Sequence, residues 1–332
     1  MKDSITSLII LLLLAGALES RAQIDPHFSQ YYAFPLWLNP ALTGVMDGQS
    51  RMTANFRDQW AGVDGGYKTT AISGDTRLSD KIALGANILS QKAGTAGYNH
   101  LTAQGSFAYQ VAVSSNGYHK LNMGLQAGLI NRSFDVSKLQ MDNQYNTSTG
   151  FDPGMSTGES FENTGGTAFD ASAGIFYYNG TPSGRANPFA GLSVSHLTQS
   201  SDPFTPGSQD TKMPLRYNLH GGVRLGVSNF LDITPHFIYI KQQKSQIKAL
   251  GTNFEFNLQA DYSLIIGAMY RMNDAAVGNI GFYAKNLVIG ISYDHTTTSL
   301  QKTGNPGGSY ELSISYIFKN RLSARDEKCP RL

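Results

Sequence analysis

Charge is scarce in this sequence. Asp, Glu, Lys and Arg together make up 15% of its 332 residues, whereas a soluble globular domain carries about 25%. Long apolar runs do not take their place: hydrophobic residues make up 41% and the mean hydropathy is −0.24, which excludes a bundle of transmembrane helices. The single cysteine, Cys329, cannot form an internal disulfide, so stability must come from strand closure and packing. Neither sign of charge dominates, with 26 Lys+Arg against 24 Asp+Glu, and no basic stripe suits a nucleic-acid partner. No Pro-rich or charge-rich linker interrupts residues 50 to 320, which reads as one domain. What is plentiful is Gly, Ser, Thr, Asn, Gln and Tyr, a mixture that favours strands joined by turns over long helices. Two classes fit: a secreted all-β protein or a transmembrane β-barrel.

The one apolar run, Leu8 to Leu18, follows Lys2 and precedes Ser20-Arg21-Ala22. That order predicts a secretory signal over residues 1–22, cleaved near Ala22. The run is about half the length needed to span a bilayer as a helix. No cysteine follows the cleavage site, which excludes an N-terminal lipid anchor. The expected destination is beyond the inner membrane.

From Arg51 to Phe318 apolar and polar residues alternate over stretches long enough for tilted membrane strands. In the stretch from Tyr262 to Tyr270 one face reads Tyr262, Leu264, Ile266, Ala268, Tyr270, aromatic at each end. The last stretch repeats this with Tyr310, Leu312, Ile314, Tyr316 and Phe318, leaving Glu311, Ser313 and Ser315 on the other face. Aromatics at both rims of an apolar band form the girdles of two membrane interfaces. The pattern predicts an all-β, closed antiparallel transmembrane barrel of about 14 strands. They fall near 51–59, 68–78, 81–90, 99–111, 119–131, 168–179, 187–197, 214–227, 230–240, 246–258, 261–271, 275–285, 286–295 and 308–318. An even count places both termini on the periplasmic side of an outer membrane, with the long connections, such as Ser133–Thr167, outside. The resulting division is a signal over 1–22, a segment over 23–50, a barrel over 51–318 and a tail over 319–332.

Chemistry has little support. None of the seven histidines has another His or a Cys at metal-motif spacing, and neither a metal nor a cofactor is expected. Ser193, Ser195, His196, Asp294 and His295 are the residue types of a hydrolase, but adjacent strand residues point to opposite faces. The polar faces carry Arg57, Arg77, Arg216, Arg224, Arg271 and Asp294, with Arg51, Asp75, Asp170 and Asp232, so these charges are expected to line the lumen. A charge-lined channel is one reading and a lumen closed by ion pairs is the favoured one. Lys241, Lys244 and Lys248 form a small basic cluster beside an outer loop, read as a solvated face with lipopolysaccharide contact as the alternative.

The terminal segments are unlike strands. Residues 25 to 44 pack aromatics with three prolines and are expected to be buried, as a plug in the barrel or against a periplasmic partner. Their candidate partner-binding residues are Asp25, Pro26, His27, Phe28, Tyr31, Trp37, Asn39 and Pro40, joined by Cys329, Pro330 and Arg331 of the tail.

Several motifs carry a family resemblance. They are Asp25-Pro-His-Phe-Ser-Gln-Tyr-Tyr32, Leu38-Asn-Pro-Ala-Leu-Thr-Gly44, Asn55-Phe-Arg-Asp-Gln-Trp60, Asn187-Pro-Phe-Ala-Gly-Leu-Ser193, Ser292-Tyr-Asp-His-Thr-Thr-Thr-Ser-Leu300, Tyr310-Glu-Leu-Ser-Ile-Ser-Tyr316 and Cys329-Pro-Arg-Leu332. In this order they resemble the PorP/SprF family of outer-membrane proteins of type IX secretion and gliding motility. The tail departs from the family in ending with Leu332 where Phe is expected. The resemblance implies a barrel without enzymatic activity. Its role would be either to support export and surface anchoring of a large adhesin by binding the adhesin's C-terminal region, or to link the outer membrane to core secretion components and a peptidoglycan-linked periplasmic protein. A passive diffusion channel is the alternative of another class.

Overall fold

The computed structural model describes residues 25–319 apart from 61, 63–64, 147, 160–162, 183, 202–211 and 298–307. The expected signal over 1–22 and the tail residues Cys329, Pro330 and Arg331 lie outside the described residues. Among the described residues no helix is long and apolar enough to cross a membrane.

The strands are β1 (Ser50–Gln59), β2 (Tyr67–Arg77), β3 (Ile82–Ala93), β4 (Tyr98–Ala112), β5 (His119–Ser133), β6 (Tyr145–Asn146), β7 (Gly150–Phe151), β8 (Gly165–Asn179), β9 (Ala186–Ser195), β10 (Arg216–Gly226), β11 (Leu231–Gln242), β12 (Ser245–Gln259), β13 (Tyr262–Arg271), β14 (Ala275–Ala284), β15 (Leu287–Thr296) and β16 (Ser309–Phe318). All but β6 and β7 form one closed barrel, each strand antiparallel to its chain neighbour, with β5 pairing β8 and β1 pairing β16. Closure leaves no strand edge unpaired, which a hydrocarbon environment demands. The sequence-expected strands correspond one to one with these fourteen, their bounds displaced by at most three residues. The pair β6 and β7 makes a two-stranded ribbon inside the long connection between β5 and β8, where sequence alone indicated only a Ser/Thr/Gly-rich stretch.

The face assignment follows from alternation. In β16, Tyr310, Leu312, Ile314, Tyr316 and Phe318 are exposed while Ser309, Glu311 and Ser313 are buried; in β13, Tyr270 and Ile266 are exposed while Ser263 and Arg271 are buried. The barrel is thus apolar outside and polar inside, as lipid requires.

Its two ends differ. Where β1 begins and β16 finishes, Ser50 pairs with Phe318; connections at this terminus end are short, the longest being 113–118 and 180–185. The opposite loop end carries 134–164, 196–215 and 297–308.

Residues 25–49 run inside the barrel. The chain is at the loop end at Asp25, which bonds Arg132 near the top of β5 and Gln242 at the top of β11. It reaches the terminus end at Gln49, whose N–H donates to Phe318 O. Between them lie only short helical turns, at Tyr31–Ala33, Pro35–Leu38 and Pro40–Leu42, the last capped by the Asn39 side chain accepting from Ala41 N. Prolines open two of these turns, where a missing N–H costs nothing. The first and last described residues, Asp25 and Lys319, lie at opposite ends of the barrel, because the segment before β1 threads the lumen.

Candidate functional site

The lumen is built from the inner faces of the strands and residues 25–49. On the β3–β10 side the two fit closely. A Cβ on Gly124 would come within 2.3 Å of Ala41 N, and one on Gly174 within 2.0 Å of Asn39 Oδ1. Only glycine at these inward positions lets the turn at Asn39–Ala41 touch the wall. Asn39 Nδ2 donates to Ile175 O at 3.0 Å, Asn122 Nδ2 to Ala41 O at 3.2 Å, Ser193 Oγ to Leu38 O at 2.8 Å and Asn218 Nδ2 to Leu38 O at 2.9 Å. Wall side chains thereby satisfy the irregular segment's buried backbone groups. Between these contacts Leu38, Ala41, Leu42 and Val45 pack against Phe176, Tyr178, Phe189, Ile238 and Ile240, and Phe28 and Phe34 pack against Ala71 and Leu89.

Two ionic clusters tie the segment down near the loop end. In the first, Asp25 meets His196 Nε2 at 2.6 Å, Arg132 at 3.4 Å and Arg216 at 3.8 Å, while His196 Nδ1 faces Asp170 at 3.0 Å. The second cluster centres on Ser29. Its hydroxyl donates to Asp294 at 2.6 Å and accepts from Arg57 and Arg271. Both guanidiniums also reach Asp294, at 3.0 and 2.9 Å. Glu311 pairs with Arg57 at 3.3 Å and accepts from the N–H groups of Ser29 and Gln30 at 2.7 and 3.0 Å. Buried charges so connected are costly to break one at a time, since removing one leaves its partner unpaired.

The remaining sequence-expected residues are placed as follows. Pro26 O accepts from Trp37 Nε1 at 3.0 Å, and the Arg216 guanidinium lies over the Trp37 ring at 5.4 Å. His27 is buried. Phe28 packs with its ring tilted against Phe34, centres 5.4 Å apart, Tyr31 Oη meets His236 Nδ1 at 2.6 Å, and Pro40 O accepts from Thr43 Oγ1 at 2.8 Å. These contacts bury the candidate partner-binding residues 25–40 in the lumen, Trp37 only in part. A partner could touch most of them only if the segment left the barrel. Arg77 donates to Gly44 O and Met46 O, and Arg224 pairs with Asp232 at 2.6 Å and Glu255 at 3.3 Å. Arg57, Arg77, Arg216, Arg224, Arg271 and Asp294 thus make these contacts on the inner side of the wall.

Sequence reasoning missed Arg132, Glu255 and the role of His196. Arg132 shares the parity of Asn122 and Gln126 and is readable as inward once β5 is extended to Ser133. Ser193 and His196 do not pair with each other: both ring nitrogens of His196 face carboxylates, and Ser193 Oγ donates to Leu38 O. Among the described residues no group of three or more His, Cys, Asp or Glu is placed to hold a metal.

On the β12–β16 side the fit is looser. A cavity of about 120 Å³ separates Tyr32, Ala33, Pro35, Val45 and Met46 from a wall that includes Asn253, Ile265, Asn279, Ile289 and Ser313.

The model of the family described as type IX secretion system membrane protein PorP/SprF matches residues 20–316. No curated protein matches. Among solved structures, the Ralstonia pickettii toluene transporter TbuX is similar at 14% identity and a TM-score of 0.53, over 85% of this chain and 93% of its own. The monoaromatic hydrocarbon channel CymD follows at 10% identity and a TM-score of 0.48, over 87% and 93%. At such identity the TbuX likeness shows a shared outer-membrane barrel fold. The match over nearly the whole chain, on a closed barrel with an apolar exterior, makes the protein a member of the PorP/SprF family of type IX secretion system membrane proteins.

Proposed function

We propose that this outer-membrane barrel is a non-enzymatic accessory of type IX secretion and gliding motility that supports export and surface anchoring of a large adhesin by binding its C-terminal region. The observation that carries this reading over a diffusion channel is the lumen: residues 25–49 thread it from end to end, bound at Asp25 and Ser29 by buried ion clusters. A barrel occupied by its own chain is a rigid frame for surfaces outside the lumen. Partner contact is assigned to the ribbon of β6 and β7 with its exposed Tyr145 and, on the sequence alone, to Cys329, Pro330 and Arg331 of the tail. The long connections are taken to face the cell exterior and the short ones the periplasm, which their lengths support.

The test is quantitative mass spectrometry of surface and secreted proteins in a clean deletion strain. Loss of one large adhesin with other type IX cargo retained is the expected result. Retention of all type IX cargo in the periplasm would assign the protein to the core machine instead, and an unchanged profile in a strain lacking paralogues would contradict both roles. The core reading draws support from the cavity, which lies toward the terminus end between residues such as Met46, Tyr283 and Ile317.

A further inference from the structure

The hairpin of β11 and β12 carries its lysines on the outside of the barrel. Ile240 and Gln242 point inward and are buried, which turns Lys241 outward; Ala249 is buried, which turns Lys248 outward, and both lysines are exposed. Register puts Lys241 opposite Gln246 and Tyr239 opposite Lys248. Lys241 and Lys248 are therefore diagonal neighbours on one face, with a spacing of about 7–8 Å that one phosphate can bridge. Lys244 occupies the turn beside them, after Gln243 with φ of 50°.

Their height in the membrane gives the cluster its meaning. The hairpin turn is at the loop end, and the outward neighbours are aromatic or aliphatic: Tyr217 opposite Lys241, then Tyr239, Leu250 and Tyr270. The Lys248 ammonium lies 5.9 Å from the centre of the Tyr239 ring. Tyrosines at this level mark the interface between hydrocarbon and headgroups. Lys241 and Lys248 form no ion pair among the described residues, and Asp274, on the neighbouring turn at this rim, bonds Arg271. At Lys241 and Lys248, positive charge on the lipid-facing wall, at headgroup height and outside any ion pair among the described residues, fits an anionic lipid.

We propose that Lys241, Lys244 and Lys248 clamp the phosphate of a phosphorylated glycolipid of the outer leaflet, lipid A, against the outside of β11 and β12. The proposal rests on the loop end facing the cell exterior. Each lysine near an anionic lipid surface contributes about a fivefold gain in binding, so three contribute about a hundredfold.

The test uses the full barrel purified from its own outer membranes in mild detergent, with lipid A per barrel counted by native mass spectrometry. The parent is expected to retain lipid A, and the triple variant K241Q/K244Q/K248Q to retain far less while keeping the heat-modifiable migration of a folded barrel. A control variant at the terminus end, K81Q/K285Q, is expected to retain it fully. On titration, lipid A should bind the parent about a hundredfold more tightly than the triple variant, and dephosphorylated lipid A should not discriminate between them. Equal retention by parent and triple variant overturns the proposal; so does equal loss in the control, which would indicate charge without a site. Displacement by millimolar inorganic phosphate would mark a free-phosphate site and overturns the lipid assignment. Labelling of a K244C variant in a C329S background by an impermeant maleimide on intact cells reads the orientation separately, so failure of the lipid clamp and failure of the topology are distinguishable.

Discussion

The two halves of the lumen are made of the same kinds of residue and yet are filled differently. Between β3 and β10, inward Gly124 and Gly174 let the turn at Asn39–Ala41 reach the wall, and Leu38 and Leu42 pack on Phe176 and Phe189. Between β12 and β16, inward Asn253, Ile265, Asn279 and Ile289 face the same segment across a cavity of about 120 Å³. The lesson is that alternation makes a barrel, but only matched small residues and backbone acceptors make a docked segment. One half holds Leu38–Leu42 by close fit; the other holds Ser29 and Gln30 through Arg271, Asp294, Glu311 and Ser313 and leaves the cavity beside the rest of the segment, bridged by Asn279 donating to Tyr32 Oη.

Breaking the fit altogether should have the largest effect. Deleting residues 25–44 is expected to leave an inserted barrel with steady conductance in planar bilayers, against a silent parent. Absence of the whole protein from the membrane would show instead that the segment is needed for folding.

Next in size is the ionic anchor. Asp294→Ala leaves Arg57 and Arg271 without their shared carboxylate and should cost about 3–5 kcal/mol, read as a lower midpoint of denaturant unfolding in detergent. Asp25→Asn, which preserves shape and some hydrogen bonding, should cost less.

The comparison itself is sharpened by glycine. Gly174→Leu must displace Asn39, whereas at Gly281 a Cβ meets nothing closer than 3.4 Å. Overpacking costs about 1–3 kcal/mol in a filled core, so Gly174→Leu should unseat the segment and expose it to protease, while Gly281→Leu should leave its protection unchanged. Truncation of aliphatics probes the two sides by packing alone. Leu36, fully buried, should lose about 2–5 kcal/mol on change to Ala; Ile289, already beside the cavity, should lose less than half as much by thermal unfolding.

How much of this was legible in the sequence follows from what is local and what is not. Strand number and facing were legible because alternation repeats within each strand: Tyr262 to Tyr270 reveals its lipid face unaided. The inward direction of Arg57, Arg216 and Asp294 was legible for the same reason. Which charges meet was not, since Arg57 and Asp294 are far apart in sequence and come together only when β1 closes against β16. The path of residues 25–49 was open between plug and partner-bound segment because aromatics and prolines require burial without stating where. The signal that locates them is spread over glycines in separate strands, Gly124 and Gly174 among them, whose smallness has meaning only beside Ala41 and Asn39.

The central claim is that residues 25–49 occupy the lumen, and proximity tests it most directly. Thr43 Oγ1 donates to Ser106 Oγ at 2.9 Å, joining the segment to β4. In a C329S background, a T43C/S106C pair should form a disulfide in the oxidising periplasm, found by mass spectrometry as one cross-linked peptide in the surface-exposed, folded barrel. Two free thiols, both open to maleimide in the inserted protein, would contradict the account.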